Sequence, residues 1–295
     1  MKYVRNLDLP AAADVDVVIA GAGPAGVCAA IAAGRTGAKT VLLESVGCLG
    51  GTWTAGHLGW IINYHNKTGL LVEIVDKLRE RGAVPERAAI SGSIPFNPET
   101  MKSLLEDLCE DAGVRIRLHT MVTDVVKHAD GTVAAVVTSS KSGPEGWRGK
   151  IFIDATGDGD LAAAAGCRFD FGNSQGKTQP MSLLALVCGI RPEEVEKYTN
   201  NYTTRMEAIG NILDDFAKVG ISPSYKHPSL FHLCDDLFFL MANHQYGYSG
   251  INADDITRAT IDGRKEVNKQ IDALRGLGGV WKNIQLASTG QYIGV

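Results

Sequence analysis

A short glycine-rich segment near the start of the chain constrains the fold more than any other feature of the sequence. Gly21, Gly23 and Gly26 directly follow an apolar run over residues 15–20, and small residues typical of a buried helix continue to Gly34. A second apolar run then covers residues 39–44. Two nearly continuous apolar strands joined by a turn and a helix are typical of a parallel sheet. The segment therefore predicts a β–turn–α–β unit.

The spacing of the three glycines indicates a dinucleotide site. The first glycine permits the tight turn, the second lets the backbone approach a pyrophosphate, and the third lets the helix pack on the strand. Glu44 ends the second strand, where an acid is expected to accept hydrogen bonds from the adenosine ribose and to disfavour a 2′-phosphate. We therefore expect an α/β fold, a Rossmann-like FAD/NAD(P)-binding domain with a parallel sheet and helices on both faces. The glycine pattern alone does not distinguish NAD from FAD.

Charge and cysteine spacing argue against several other classes of protein. The chain has 29 basic and 33 acidic residues, a net charge of -4 and a pI near 6.0. It therefore lacks the excess of basic residues that is typical of nucleic-acid-binding proteins. No uninterrupted apolar stretch is long enough to span a bilayer, and no signal peptide is recognisable. The six cysteines form no CxxC pair, which argues against a metal centre or a dense disulfide framework. We expect a cytoplasmic protein without a metal, nucleic-acid or membrane partner.

Periodicity and turn residues predict the remaining elements and two domains. Helices are expected over residues 68–81 and 254–274, and a third is opened by Asn97 and Pro98 and ended at Gly113. Strands are expected over residues 114–118, 121–126, 133–138 and 151–153, with a polar stretch over 139–149, and a hairpin over 230–234 and 237–241. Composition shifts near Phe171. We expect a cofactor domain over residues 1–171 and a mixed α+β substrate or cap domain over 172–295.

Two further motifs suggest a family. Gly50-Gly51-Thr52 follows Glu44, and residues 153–160 read IDATGDGD after a later strand. With the glycine turn, these motifs resemble the FAD-dependent oxidoreductases that have a glutathione-reductase-like FAD domain. The resemblance covers essentially the whole chain and implies FAD as the cofactor. It places the cofactor on Gly21, Gly23, Pro24, Ala25, Gly26, Glu44, Ser45, Gly51, Thr52, Val122, Ala155, Thr156, Gly157 and Asp158.

The same motifs leave the chemistry on the substrate open. Disulfide reductases of this group carry a redox cysteine pair shortly after the Gly-Gly-Thr segment, and here no thiol follows Thr52. Asp158 and Asp160 have an alternative role in turn formation and helix capping. Candidate catalytic residues are His57 and, in a polar aromatic loop, His244 and Tyr246. Each has a structural interpretation as well, and the sequence compels none of them into catalysis.

We therefore expect an FAD-dependent oxidoreductase that transfers a hydride between flavin and a small organic substrate. One alternative is an FAD-binding electron-transfer subunit of a complex, and another is a non-catalytic nucleotide-binding fragment. Members of the family resembled continue beyond the segment that corresponds to residues 291–295, so we expect a C-terminally truncated chain. A homo-oligomer is also compatible with the sequence.

Overall fold

The computed structural model describes residues 9–85 and 92–295 of the chain. These residues form two compact units. The first contains the described residues up to Gly51 together with Lys102–Asp170, and the second contains Phe171–Val295 together with the described residues of 52–101. The sequence analysis divides the chain once, near residue 171, whereas here residues 52–101 also group with the second unit. One reason is local pairing, since a short strand over residues 94–95 packs beside a strand that begins at Ser229.

The first unit is built on a six-stranded sheet. Its elements are β1 (Ala11–Ala20), α1 (Pro24–Arg35), β2 (Thr40–Leu43), most of α3 (Pro98–Asp111), β5 (Arg115–Arg117), β6 (Met121–Lys127), β7 (Val133–Ser140), β8 (Gly143–Asp154) and α4 (Asp160–Ala164). The strand order is β5-β2-β1-β8-β7-β6. The first four strands are parallel, whereas β7 and β6 join as an antiparallel hairpin. This is the α/β architecture expected from the sequence.

The pairing of β1 with β2 directly tests the β–turn–α–β unit that was predicted from the glycine segment. The two strands are adjacent and parallel, with Val18 opposite Val41 and Ala20 opposite Leu43. All four side chains are fully buried in one core cluster. The predicted β–turn–α–β unit is therefore confirmed, and it brings the end of β2 beside the end of β1.

One prediction for this unit is wrong. The polar stretch 139–149 was expected to lead into a short strand over 151–153, yet β8 begins at Gly143 and includes most of that stretch. Residues 143–148 of β8 pair with β7, and residues 146–154 pair with β1. Two charged side chains of β8 form ion pairs: Glu145 with Arg117 at 2.6 Å, and Arg148 with Asp14. Polar composition therefore did not prevent strand formation.

The second unit has the mixed α+β character that was predicted. It contains β3 (Trp60–Ile61), α2 (Leu70–Glu80), β4 (Ile94–Pro95), β9 (Ala185–Cys188), α5 (Arg205–Lys218), β10 (Ser229–Cys234), β11 (Leu237–Met241), α6 (Ala253–Leu277) and β12 (Gln285–Thr289). The order of its larger sheet is β10-β11-β9-β12, and each pair is antiparallel. The predicted β10–β11 hairpin and the α6 helix are confirmed. Phe216 of α5 and Ile271 of α6 pack with the sheet in one core cluster.

No helix in the described part of the chain is long and apolar enough to cross a membrane.

Trp147 is the side chain on which we expect the stability of the first unit to depend most. It is fully buried in β8, its indole N–H donates to Thr138 Oγ1 at 2.9 Å, and Arg115 and Arg117 lie over its ring at 5.0 and 5.2 Å. Trp147→Ala should reduce the free energy of unfolding by about 3–5 kcal/mol because it opens a cavity and leaves a buried hydroxyl without its donor. Urea unfolding followed by circular dichroism measures this loss.

The matched control is Ile151→Ala in the same strand, because Ile151 is 56% exposed. That substitution should change the free energy of unfolding by no more than about 0.5 kcal/mol. Equal effects of the two substitutions would contradict this account of the core.

Candidate functional site

The glycine turn at the end of β1 is a place where backbone packs directly on backbone. Gly21 has a φ of +91°, and a Cβ added there would lie 2.3 Å from the carbonyl oxygen of Ala155. A Cβ on Gly26 would lie 1.9 Å from the carbonyl oxygen of Gly21. Both distances are far below a van der Waals contact. Glycine is therefore required at 21 and 26 by the protein's own packing, as the motif predicts.

Gly23 is different, because nothing in the described residues requires it to be glycine. Its φ of -64° and ψ of -178° are extended backbone that any residue adopts, and a Cβ added there would meet no described atom within 4 Å. No described atom therefore occupies the space that a Gly23 side chain would fill. A glycine at a position where a side chain would fit is consistent with close approach of a ligand to the backbone.

The open space lies at the N-terminus of α1. Gly23 is the N-cap residue, Pro24 occupies the first turn, and no side chain in the described residues caps this end. The first N–H groups of a helix lack intrahelical acceptors, and they carry the positive end of the helix dipole. An anionic group such as a pyrophosphate fits this position without any further cationic side chain.

A second glycine pair packs against the same turn. Gly51 has a φ of +54°, and a Cβ there would lie 2.7 Å from the Cα of Gly23. The Gly50 N–H donates to the Ala22 carbonyl at 2.8 Å, which fixes the approach of the two segments. The predicted site residue Gly51 therefore lies beside the motif glycines. Its neighbour Thr52 begins the range of the second unit, where its carbonyl accepts from the Leu58 N–H at 2.8 Å.

Glu44 lies at the end of β2, as predicted, and its carboxylate points at the glycine turn. Its Oε2 accepts from the Ala22 N–H at 2.7 Å, while Oε1 accepts from the Ser45 hydroxyl at 3.1 Å and from the Val46 N–H at 3.0 Å. Only 7% of the residue is exposed. Three donors thus orient the carboxylate, and the lone pairs that remain can accept from the hydroxyls of a ribose.

The segment that enters β6 runs along the same edge. The Thr120 N–H donates to the Glu44 carbonyl at 2.8 Å, and the His119 N–H donates to Val46 at 3.2 Å. Val122 follows two residues later, half-buried and opposite Thr138. The structure therefore brings the chain near Val122 beside Glu44.

The loop after β8 is held by Asp154, a residue that the sequence reasoning did not single out. Asp154 Oδ1 accepts from the N–H and the hydroxyl of Thr156 at 3.0 and 2.7 Å, and Oδ2 accepts from the Ala162 N–H at 2.7 Å. Thr156 Oγ1 in turn accepts from the Asp160 N–H at 2.9 Å. The capping role considered for Asp158 and Asp160 therefore belongs to Asp154 and Thr156. A recognisable signal was present, since Asp-x-Thr after a strand is typical of an Asx turn.

The same loop presents Ala155, Thr156, Gly157 and Asp158 at the end of β8. The Ala155 N–H donates to the Ala20 carbonyl at 2.8 Å, so this loop directly adjoins the end of β1. Gly157 and Asp158 are exposed. Within the first unit, the motif glycines, Glu44, Ser45, Gly51 and this loop therefore form one edge.

The three candidate catalytic residues do not converge on a common point. His57 is only 7% exposed, and its ring nitrogens contact the Thr54 carbonyl at 3.0 Å and the Ser288 hydroxyl at 2.8 Å. Since both nitrogens face protein groups, this geometry favours the structural interpretation of His57.

The side chains of His244 and Tyr246 contact each other. His244 Nδ1 lies 3.3 Å from the Tyr246 hydroxyl, and Tyr246 is 61% exposed. Burial lowers the pKa of His244, with opposition from the nearby Glu266 charge. His244 is half-buried, whereas Tyr246 is exposed.

The second unit contains a cavity of about 570 Å³, which we call the aromatic cavity. Its apolar wall includes Leu58, Trp60, Leu184, Phe231, Phe239 and Met241. Thr52, Asn200, Arg205 and Ser229 are among its polar lining residues. The volume is in the range of cavities that bind small organic molecules. No local sequence pattern predicts this cavity, because its walls come from segments far apart along the chain.

Comparison with known proteins establishes the family. The FAD dependent oxidoreductase family matches residues 16–295, nearly the whole chain. The chain therefore belongs to the family of FAD-dependent oxidoreductases, a class of enzymes, and FAD is the cofactor of that class. The glycine turn, the uncapped helix N-terminus and the Glu44 carboxylate described above fit this dinucleotide.

Solved structures show the same fold at low sequence identity. A geranylgeranyl bacteriochlorophyll reductase-like protein from Thermoplasma acidophilum is 17% identical with a TM-score of 0.58, over 95% of this chain and 66% of that one. The p-nitrophenol 4-monooxygenase of Pseudomonas putida DLL-E4 is 14% identical with a TM-score of 0.54, over 95% and 67%. A flavin-dependent monooxygenase solved with FAD and substrate is 14% identical with a TM-score of 0.57, over 95% and 49%. The chain thus spans between half and two thirds of these proteins.

The contrast between Gly23 and Gly26 gives a specific prediction. Gly23→Val should fold with a free energy of unfolding within about 0.5 kcal/mol of wild type in the flavin-free protein, because the added side chain meets open space. It should nonetheless weaken FAD binding at least tenfold, about 1.4 kcal/mol, because we expect the pyrophosphate to occupy that space. Flavin-fluorescence titration and urea unfolding of flavin-free protein measure the two effects.

Gly26→Val is the control, since it should lose stability and FAD affinity together. Wild-type FAD affinity in folded Gly23→Val protein would exclude this turn as the pyrophosphate site.

Proposed function

We propose that the chain acts as an oxidoreductase that transfers a hydride between FAD and a small organic substrate. In this proposal the first unit binds the adenosine and pyrophosphate portion of the cofactor, and the aromatic cavity of the second unit binds the substrate. The observation that carries it is the open space over Gly23 at a helix N-terminus without a side-chain cap, with an oriented carboxylate at Glu44 beside it.

The proposal assigns a task to each group of predicted residues. The pyrophosphate lies against Gly21, Gly23, Pro24, Ala25 and Gly26, where backbone N–H groups donate to it. Glu44 and Ser45 accept from or donate to the ribose hydroxyls, and Val122 offers its backbone to the adenine. The remaining predicted residues are Gly51, Thr52, Ala155, Thr156, Gly157 and Asp158, which approach the pyrophosphate and the ribityl chain.

The contribution of the second unit is binding and orientation. When bound, FAD supplies the group that accepts or donates the hydride. Among the described residues, the aromatic cavity is lined by neither a carboxylate nor an imidazole, and its wall is largely aromatic and aliphatic. The side chains named here therefore hold a substrate in one orientation.

Purification followed by spectroscopy tests the proposed function. The purified protein should carry flavin absorbance, and anaerobic addition of a substrate should bleach it. Flavin without bleaching by any substrate, but with reduction by a co-purifying protein, would favour an electron-transfer subunit. Protein that neither retains nor rebinds FAD would contradict the proposal and favour a non-catalytic fragment.

Glu44 gives a prediction that isolates the adenosine end of the site. Glu44→Ala should weaken FAD binding by about 1–3 kcal/mol, because charge-assisted hydrogen bonds to the ribose are lost. Binding of FMN should be unchanged, because FMN has no adenosine for Glu44 to contact. Titration of the same flavin-free sample with both ligands measures the difference.

Glu44→Gln is the conservative control, which keeps one acceptor oxygen and should lose less than the alanine variant. If Glu44→Ala weakens FAD and FMN equally, the residue supports the turn through Ala22 and does not recognise the ribose.

A further inference from the structure

The contact between His57 and Ser288 joins a buried imidazole to an exposed serine, and both residues belong to the second unit. His57 Nε2 lies 2.8 Å from Ser288 Oγ, and His57 Nδ1 lies 3.0 Å from the Thr54 carbonyl oxygen. His57 is buried, whereas Ser288 is exposed. Burial keeps the imidazole from touching a substrate itself, but the serine that it contacts is accessible to solvent.

The two partners of the imidazole fix its tautomer. A carbonyl oxygen only accepts hydrogen bonds, so the proton of the neutral ring lies on Nδ1 and is donated to Thr54. Nε2 is then an acceptor, and the Ser288 hydroxyl donates to it. The same hydroxyl lies 3.3 Å from the Thr289 carbonyl, which is the longer and weaker of its two contacts. A hydroxyl that donates to an imidazole held by a third group is the arrangement of an activated nucleophile.

Both residues of this pair lie at irregular positions of the backbone. His57 has a φ of +64°, in the left-handed region that residues other than glycine rarely adopt. Ser288 follows a β-bulge in β12, since Leu286 pairs with Val187 and Ser288 pairs with the adjacent Leu186. Strained backbone is concentrated at functional sites, and a bulge redirects the side chains beside it. These irregularities therefore support a functional role for the contact between the two side chains.

Main-chain hydrogen bonds keep the segments that carry the two residues together. The Gln291 N–H donates to the Ala55 carbonyl at 2.8 Å, and the Gly290 N–H donates to the Leu184 carbonyl at 2.9 Å. The His57 N–H also donates to the Thr54 carbonyl, at 3.1 Å. The backbone on both sides of the contact is therefore held in place, which preorganises the hydroxyl beside its base.

We propose that Ser288 is a nucleophile activated by His57, and that it gives the second unit an ester-cleaving activity separate from the flavin chemistry. The substrate class is small carboxylic esters with a good leaving group, because a small molecule reaches an exposed hydroxyl most readily. Ser288 is the catalytic residue that bonds to the substrate, and His57 is the base.

The reaction moves one proton and exchanges one bond at the carbonyl carbon. Ser288 Oγ bonds to the ester carbonyl carbon while His57 Nε2 takes the hydroxyl proton. The bond between that carbon and the ester oxygen then breaks, and the departing alkoxide takes the proton from Nε2. An acyl group remains on Ser288. Water then attacks the acyl group, its proton passes by way of Nε2 to Ser288 Oγ, and the carboxylic acid is released.

Labelling with a fluorophosphonate tests the nucleophile on the purified full chain. Peptide mass spectrometry compares Ser288 with Ser142, a serine that is exposed in the first unit and has no described contact with an imidazole. We expect native wild-type protein to be labelled at Ser288 roughly a hundredfold faster than at Ser142, the scale of general-base assistance. Protein unfolded in urea should lose this difference, because the base no longer lies beside the hydroxyl.

Two substitutions separate the nucleophile from its base. Wild-type protein should release a burst of p-nitrophenol from p-nitrophenyl acetate, about one equivalent per chain, and Ser288→Ala should abolish it. His57→Gln keeps a side chain that forms hydrogen bonds but removes the base, so it should slow labelling of Ser288 roughly a hundredfold. Melting temperatures show whether the variants fold. The comparison of native with unfolded wild-type protein decides the proposal even if they do not.

Equal labelling of Ser288 and Ser142 in native wild-type protein would overturn the proposal, since His57 would then not activate the hydroxyl. A preference for Ser288 that persists in urea would overturn it as well, because it would reflect the local sequence alone. The same conclusion would follow from undiminished labelling of folded His57→Gln protein, or from a p-nitrophenol burst that persists in Ser288→Ala protein.

Discussion

The first unit depends on a set of backbone approaches too close for any side chain. At the end of β1, Gly21 packs against Ala155, Gly26 packs against Gly21, and Gly51 packs against Gly23. These approaches require the ends of β1, β2 and β8 to reach the same edge of the sheet. The parallel pairing of the three strands provides this, because it directs all three carboxyl ends the same way. The edge that we propose for the cofactor is therefore made mostly of main chain, and it includes the charged side chain of Glu44.

Local signals made this edge predictable from sequence. The glycine spacing, the apolar strands on either side and the acid at the end of β2 all act within a short stretch of chain, so they specify one supersecondary unit. The β10–β11 hairpin and the α6 helix were predicted for the same reason, since each is defined by its own periodicity and turn. The helix over 68–81 was likewise confirmed as α2, shorter by a residue or two at each end.

Features that depend on distant partners could not be predicted in this way. The polar half of β8 forms a strand because its backbone hydrogen-bonds to β7 and because Glu145 forms an ion pair with Arg117. Neither partner can be recognised from the sequence of residues 139–149 alone. Asn200 carries no distinguishing mark in a polar run of sequence. Only the folded second unit shows that Asn200 lines a cavity together with Trp60 and Phe231, which are remote in sequence.

The length of β8 also has a consequence for how the chain is made. Strands β1 and β2 leave the ribosome before β8, and β8, the second neighbour of β1 in the sheet, is not complete until Asp154 has been synthesised. Until then β1 and β2 expose an apolar, unpaired edge, the kind of surface that recruits other strands. Pairing across so much intervening chain is entropically slow. The nascent protein is thus most prone to aggregate after β2 has been synthesised and before β8 is complete. Chaperone binding during that interval would protect β1.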